Sequence, residues 1–301
     1  MNVIEATGLG KRYWASWALR DCTLAIPAGR VTALAGPNGA GKTTLMHLAV
    51  GLMAPTEGRV TVLGGQAAGS PEALNRVAFV AQDVPLYQHL PVRDMLHLAR
   101  ALNGRRWDQR RADRQLAALD IPLRRKVGKL PGGQQAQVAL TIALARRPEL
   151  LLLDEPLAHL DPLARHEFLA ALMETVAEDG TSVLFSSHVV AELERIGDYL
   201  VVLARGQVQV AGDVETLLAG HQILTGPAAD AGTQLDVVHA RLGSAQAHLV
   251  VRRSGAATRP PAGWQAQPVT LEELMLAYLR EPGASALPGP EPRAAVTGAS
   301  R

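Results

Sequence analysis

Gly36-Pro37-Asn38-Gly39-Ala40-Gly41-Lys42-Thr43 is the stretch on which the reading of this chain turns. Two glycines bracket four residues, and Lys and Thr follow directly, which is the phosphate-loop pattern. Glycine lets the backbone wrap around phosphate groups with its N–H groups pointing inward. Lys42 adds a cation near the terminal phosphates, and the Thr43 hydroxyl can ligate magnesium. The flanks supply the required context. Val31 to Ala35 reads as a short apolar strand entered through the turn Pro27-Ala28-Gly29, and Lys42 to Gly51 reads as a helix. The N-terminus of that helix contributes a further partial positive charge.

A second element lies farther along. Leu150 to Leu153 is fully apolar and ends in Asp154-Glu155. A parallel sheet places its ligands at the carboxyl ends of its strands, where Asp154 would hold magnesium through water and Glu155 would polarise an attacking water. An apolar strand ending in Asp-Glu is weak by itself, because acidic residues commonly cap the next helix. Paired with the phosphate loop it becomes a candidate catalytic element.

Around these two anchors helix and strand alternate. Val3 to Thr7 and Leu19 to Ile26 alternate in polarity as strands facing a core on one side, Gly58 to Gly64 reads as a strand ended by a Gly-Gly turn, and Val77 to Ala81 as a buried strand. Pro91 to Leu119 is helical in pattern, as is Gln134 to Arg147, which Pro148 stops. Pro162 to Glu178, Ser182 to Phe185, Val189 to Ile196 and Leu200 to Leu203 continue the alternation. The whole predicts an α/β fold, a mainly parallel sheet flanked by helices with an antiparallel β layer beside it. Beyond about residue 220, His221 to Leu224, Leu235 to Ala240 and His248 to Arg252 read as strands and Leu271 to Leu279 as an amphipathic helix. A small C-terminal α+β unit is expected over 221–281, and 282–301, rich in Pro, Gly, Ala and Ser, is expected to be disordered.

Of the 301 residues, 48% are apolar and 19% charged, enough for one large domain with an appendage. Aromatics make up only 4%, so the core falls to Ala, Leu and Val. A net charge of +2 gives no global field pointing to nucleic acid. The single cysteine, Cys22, excludes an intrachain disulfide and a Cys-based metal cluster, and a reducing, cytoplasmic setting is expected. Met1 to Glu5 does not have the pattern of a signal peptide. The longest apolar runs, Val138 to Ala145 and Leu150 to Leu153, fall well short of the roughly 20 residues that cross a bilayer. No internal repeat points to a second copy of the phosphate site.

Leu130-Pro131-Gly132-Gly133-Gln134, shortly before the Asp-Glu strand, resembles the Leu-Ser-Gly-Gly-Gln signature of ATP-binding-cassette (ABC) proteins. Gln82 resembles that family's Q-loop, Leu160-Asp161 its D-loop, His188 after Ser186-Ser187 its switch histidine, and Tyr13 the aromatic that stacks on adenine. The elements follow family order across residues 3 to 220. The resemblance implies a P-loop NTPase core over 1–220 with a helical subdomain at about 84–147. It implies ATP and Mg2+ as cofactors. Gly36, Pro37, Asn38, Gly39, Ala40, Gly41, Lys42, Thr43 and Thr44 would surround the phosphates, with Thr43, Gln82 and Asp154 at the metal. Glu155, His188 and Lys42 would be catalytic. Two such domains, expected as a homodimer, would face each other head to tail, each ATP lying between one phosphate loop and the other copy's Pro131, Gly132, Gly133, Gln134 and Asp161. The expected partner is an integral-membrane permease on a separate chain, with this subunit peripheral on the cytoplasmic face of the cell membrane and no role for nucleic acid.

Pro131 stands where the family usually has Ser. The lost hydroxyl removes a hydrogen bond worth about 1.5–3 kcal/mol to a charged group, so the site is expected to be weakened and still active. Residues 100 to 129 carry ten Arg or Lys and three Asp, a local balance of 10 − 3 = +7, readable as a solvated helical face or as a surface for anionic lipid or an acidic permease loop. Val92 to Leu96 is where such proteins dock the permease. Leu271 to Leu276 resembles the terminal helix of exporter-type cassettes, drug-efflux types included, and export is expected from it. The competing readings are a soluble cassette outside transport, and a regulatory cassette that hardly cleaves ATP. His47, His89, His97 and His159 lack metal-ligand spacing.

Overall fold

The structure, a computed structural model, describes residues 1–103, 106–158, 160–228, 235–253, 260, 262–282 and 284. The chain opens with two long strands, β1 (Asn2–Tyr13) and β2 (Ser16–Pro27), paired antiparallel. Both extend beyond the alternating segments Val3–Thr7 and Leu19–Ile26, because register shifts along the pair carry the hairpin out to its tip. Next come β3 (Val31–Ala35), α1 (Lys42–Val50), β4 (Glu57–Val62), β5 (Gln66–Ala67) and a short α2 (Pro71–Leu74). Strands β4 and β5 complete the antiparallel layer in the order β2-β1-β4-β5.

The central sheet holds β3, β6 (Val77–Val80), β7 (Leu150–Leu153), β8 (Ser182–Ser187), β9 (Tyr199–Ala204) and β10 (Gln207–Asp213) in the order β10-β9-β3-β8-β7-β6. All its pairs are parallel except β9 with β10. The Leu150–Leu153 run is buried throughout because a parallel strand is covered on both faces. Helix α1 buries Leu45, Met46, Leu48, Ala49 and Val50 beneath the antiparallel layer.

The expected helical stretch Pro91–Leu119 is two helices, α3 (Val92–Asn103) and α4 (Gln109–Ala118). The break follows from Asp108, whose Oδ1 accepts the Arg111 N–H at 3.0 Å and so starts a new helix. In α3 the buried Val92, Met95, Leu96 and Ala99 follow helical spacing. Of these, Val92, Met95 and Leu96 pack with Ala112, Leu116 and Val138, the last from α5 (Gly132–Ala145), as a separate small core. Helices α6 (Pro162–Asp179) and α7 (Val190–Ile196) cover the central sheet with α5.

After α8 (Val214–Ala219), the strands β11 (His221–Pro227), β12 (Val237–Leu242), β13 (Gln246–Arg252) and β14 (Gln265–Pro268) form a third sheet in the order β12-β13-β11-β14. It has its own cluster around Leu224, Leu249 and Trp264. Helix α9 (Leu271–Arg280) packs between this sheet's β12 and the main core. Started by a Thr270/Glu273 capping box, it buries Leu274, Met275 and Tyr278 in the main core beside Phe168, Leu193 and Leu200. Of the segment 282–301, only Pro282 and Ala284 lie within the described residues.

A buried hydrogen-bonded chain ties α9 to the third sheet. His221 Nδ1–H donates to the Leu217 carbonyl at 2.7 Å, Nε2 accepts the Tyr278 hydroxyl at 2.8 Å, and the Tyr278 oxygen accepts from Arg252 Nε at 3.2 Å. Burial first, then the Arg252 charge, pushes the His221 pKa down, against the Leu217 bond and Asp236. The folded chain therefore binds fewer protons here than the unfolded one. The stabilisation is complete above the ordinary histidine pKa and is lost as pH falls through the lowered one. Between pH 7.5 and pH 5.5 the wild type is expected to lose more melting temperature than His221→Asn, which keeps a donor for Leu217 and does not titrate. Equal losses would contradict the assignment.

Candidate active site

The phosphate loop leaves the carboxyl end of β3 and turns into α1. Gly36 (φ 155°) and Gly41 (φ 105°) have no room for a side chain: a Cβ would lie 2.4 Å from the Leu203 carbonyl oxygen at the first and 2.6 Å from the Ala18 oxygen at the second. Both glycines are therefore needed for the curl of the loop. The loop lines a cleft of about 570 Å³ with Pro37, Asn38, Gly39, Ala40, Gly41, Lys42, Thr43 and Thr44, joined by Gln82, Glu155 and His188.

Lys42 is nearly buried, at 6% exposed, and its ammonium is held from several sides. It donates to the carbonyls of Gly36 at 2.8 Å and Pro37 at 3.3 Å, and it lies 3.2 Å from Glu155 Oε1. The other carboxylate oxygen, Glu155 Oε2, lies 3.0 Å from His188 Nδ1. Glu155 holds this position on a left-handed backbone (φ 44°), an uncommon conformation for a residue with a side chain. Such positive-φ residues cost about 1–3 kcal/mol and cluster at functional sites. Asp154 is fully enclosed behind the cleft, and its Oδ1 accepts the Ser186 hydroxyl at 2.8 Å.

Three sequence-distant candidates thus meet, Glu155 touching both Lys42 and His188, and Gln82 lines the same cleft. Sequence reading passed over Ala18 and Ala158, which also line the cleft, and Ser186 behind it. The two alanines carry no chemical signal. Ser186 could have been suspected only from its place at the carboxyl end of a strand.

Other candidates lie apart from this cleft. Tyr13 is at the β1–β2 hairpin tip, its hydroxyl on Met53 Sδ at 3.0 Å and Lys11 Nζ 5.6 Å from its ring centre; it does not line the phosphate cleft. Pro131, Gly132, Gly133 and Gln134 start α5 outside the cleft. Pro131 is the N-cap, and its carbonyl accepts the Gln135 N–H at 3.0 Å. A Cβ at Gly132 would meet nothing within 4 Å, so its backbone faces open space. Gln134 Oε1 is buried without a hydrogen-bond partner among the described residues. Asp161 caps α6 by accepting the Ala164 N–H at 2.9 Å.

The residues fit a magnesium nucleotide. The phosphate loop lines an open cleft together with the Lys42 ammonium, a setting that suits a polyphosphate. Among the described residues no trio of His, Cys, Asp or Glu gathers as a metal cage. A metal here would depend on a few hard oxygens plus phosphate, which suits magnesium.

Comparison with known proteins agrees with this geometry. The family profile described as ABC transporter matches residues 19–158. The thiamine import ATP-binding protein ThiQ of Salmonella choleraesuis is 34% identical over 202 residues, covering 66% of this chain and 86% of that protein. The chain belongs to the ABC transporter family. Within it, this cassette is an ATP-binding subunit, an ATPase coupled to transport. The Fe(3+) ions import ATP-binding protein FbpC of Pseudomonas fluorescens is 36% identical over 218 residues, 70% of the chain, and the match spans 62% of that protein. A solved ATP-binding subunit of an ABC transporter superposes with a TM-score of 0.64 at 30% identity, covering 72% of this chain and 92% of that one. A dimeric bacterial ABC transporter cassette gives 0.63 at 26% identity, covering 70% and 98%.

Two expectations about surfaces change. The basic segment 100–129 is not a uniform face: Arg111 is buried, paired with Asp179 and, at 2.8 Å, with Glu178, and Arg106 lies 3.4 Å from Glu149. Arg105 lies outside the described residues. Of the Val92–Leu96 stretch, Val92, Met95 and Leu96 are core residues, and Arg93 and Asp94 pair with each other at 3.2 Å.

Proposed function

We propose that two copies of this cassette hydrolyse ATP in shared sites and so drive a substrate through a separate membrane permease, from a peripheral position on the cytoplasmic side of the cell membrane. The observation that carries this reading is the Glu155 carboxylate, divided between Lys42 and His188 at the wall of a cleft lined by the phosphate loop.

In this reading Lys42 and the loop N–H groups hold the terminal phosphates, and the N-terminus of α1 adds to their field. Glu155 polarises the attacking water, and His188 fixes the carboxylate from the other side. Magnesium, when bound, neutralises phosphate charge, and Thr43, Gln82 and Asp154 would hold it. Tyr13 meets the base. The open backbone at Gly132 and the dimeric relatives support contact between the signature segment and the nucleotide of the opposite copy, with Asp161 beside it. The absence of any helix among the described residues long and apolar enough to cross a membrane agrees with a permease on another chain.

Export, expected from Leu271–Leu276, has no support. The curated relatives named above are import proteins, and α9 buries its apolar face in this chain's own core. The closure of two cassettes is the same for either direction, so direction belongs to the permease. A merely regulatory role is disfavoured by the intact contact of Glu155 with His188.

The test is purification of the chain from membranes with its integral partner, followed by steady-state hydrolysis by that complex. ATPase activity is expected, and Pro131→Ser is expected to raise it by up to roughly 10- to 100-fold, because serine restores a phosphate ligand and a side-chain N-cap. A complex that does not hydrolyse ATP defeats the proposed function. No gain with serine shows that the site is adapted to proline.

A further inference from the structure

We propose that Ser186 is a positioning residue that sets Asp154, which would hold magnesium through water, and the water-polarising Glu155 relative to each other. The proposal rests on the reading of the cleft as a magnesium-ATP hydrolysing site.

Ser186 is fully buried, yet its one hydroxyl serves both acidic residues. Its Oγ–H donates to Asp154 Oδ1 at 2.8 Å, and its oxygen accepts the backbone N–H of Glu155 at 2.9 Å. The first bond fixes the rotation of the Asp154 carboxylate. The second anchors the peptide that takes Glu155 into its left-handed conformation, φ 44°, and so aims its side chain at Lys42 and His188.

The position follows from sheet register. Strand β8 lies between the strand that carries the phosphate loop and the strand that carries the acids: Leu34 of β3 is level with Ser186, and Leu153 of β7 is level with Phe185. One step beyond Phe185, the Ser186 hydroxyl meets the residues one and two steps beyond Leu153. Ser187 shows the contrasting, local use of a hydroxyl. It accepts the Val189 N–H at 2.9 Å and donates to Glu192 at 2.6 Å, holding the start of α7. Unlike Ser187, Ser186 reaches both acids.

The hydroxyl is the needed group because it donates and accepts at once. Alanine removes both bonds, threonine keeps both, and cysteine keeps the volume with a weak donor. The experiment measures the affinity of the full-length chain for a fluorescent ATP analogue, once in EDTA and once in excess magnesium, with melting temperatures alongside. Binding in EDTA reports the phosphate loop alone and is expected to be unchanged in Ser186→Ala. The tightening produced by magnesium is expected to fall about 10- to 100-fold in that variant, as for other groups that orient a metal ligand, and to return in Ser186→Thr. If Ser186→Ala melts too low to assay, Ser186→Cys carries the test, and the same loss of magnesium tightening is expected in it. Wild-type magnesium tightening in Ser186→Ala, or in Ser186→Cys when it replaces alanine, overturns the proposal while leaving the ATP site intact. Absence of nucleotide binding by the wild type overturns the ATP site itself, and this proposal with it.

Discussion

Glu155→Gln is expected to lower ATP hydrolysis by about 10²- to 10⁴-fold, the usual contribution of a positioned base, while leaving ATP binding intact or tighter. Glutamine keeps the volume and can still reach His188 and Lys42, so the cleft keeps its shape. It removes a negative charge from the wall where a triphosphate would sit, and with it a like-charge repulsion. ATP would then persist between two copies, and gel filtration with ATP and magnesium is expected to show a dimer that separates when nucleotide is removed. A variant that hydrolyses at the wild-type rate, or that runs as monomer with ATP, contradicts the role given to Glu155.

The second large effect is at Lys42. Its ammonium is nearly enclosed and lies 3.2 Å from a carboxylate that is itself 10% exposed. Removing one partner of a buried ion pair costs about 3–5 kcal/mol, because the other charge is left uncompensated. Lys42→Ala is therefore expected to lower melting temperature and to weaken ATP binding by about 10²- to 10³-fold, the binding loss coming from the charge-assisted bonds to phosphate. The two effects can be separated. In Lys42→Ala with Glu155→Gln, the stranded carboxylate is gone, so the melting temperature is expected to recover while ATP binding does not. Titration of ATP by calorimetry and thermal melts on both variants check this. Recovered binding in the double variant would mean that the lysine serves only the glutamate.

The α/β alternation could be read along the chain, and most strand and helix positions followed from it. What was missed has local causes. β10, Gln207–Asp213, pairs antiparallel with its immediate predecessor, and its half-polar alternation is weaker than the apolar runs around it. β5 and β14 are two and four residues long and exposed, too short for periodicity to register. The helical pattern over Pro91–Leu119 runs through a break that Asp108 makes by capping a new helix. The apolar spacing of α9, from which export is expected, reports burial against β9, β12 and α7.

The sequence alone determined the phosphate loop. Its chemistry lies within eight consecutive residues, and the two glycines that must lack a Cβ can be identified from the motif. Only the tertiary structure decided how Lys42, Glu155 and His188, grouped in the sequence by resemblance alone, come into contact, and that Ser186 stands behind them. Those four residues come from α1 and the ends of β7 and β8. What joins them is the strand order β3-β8-β7 and its register, which is set by packing between distant segments and so leaves no local pattern along the chain.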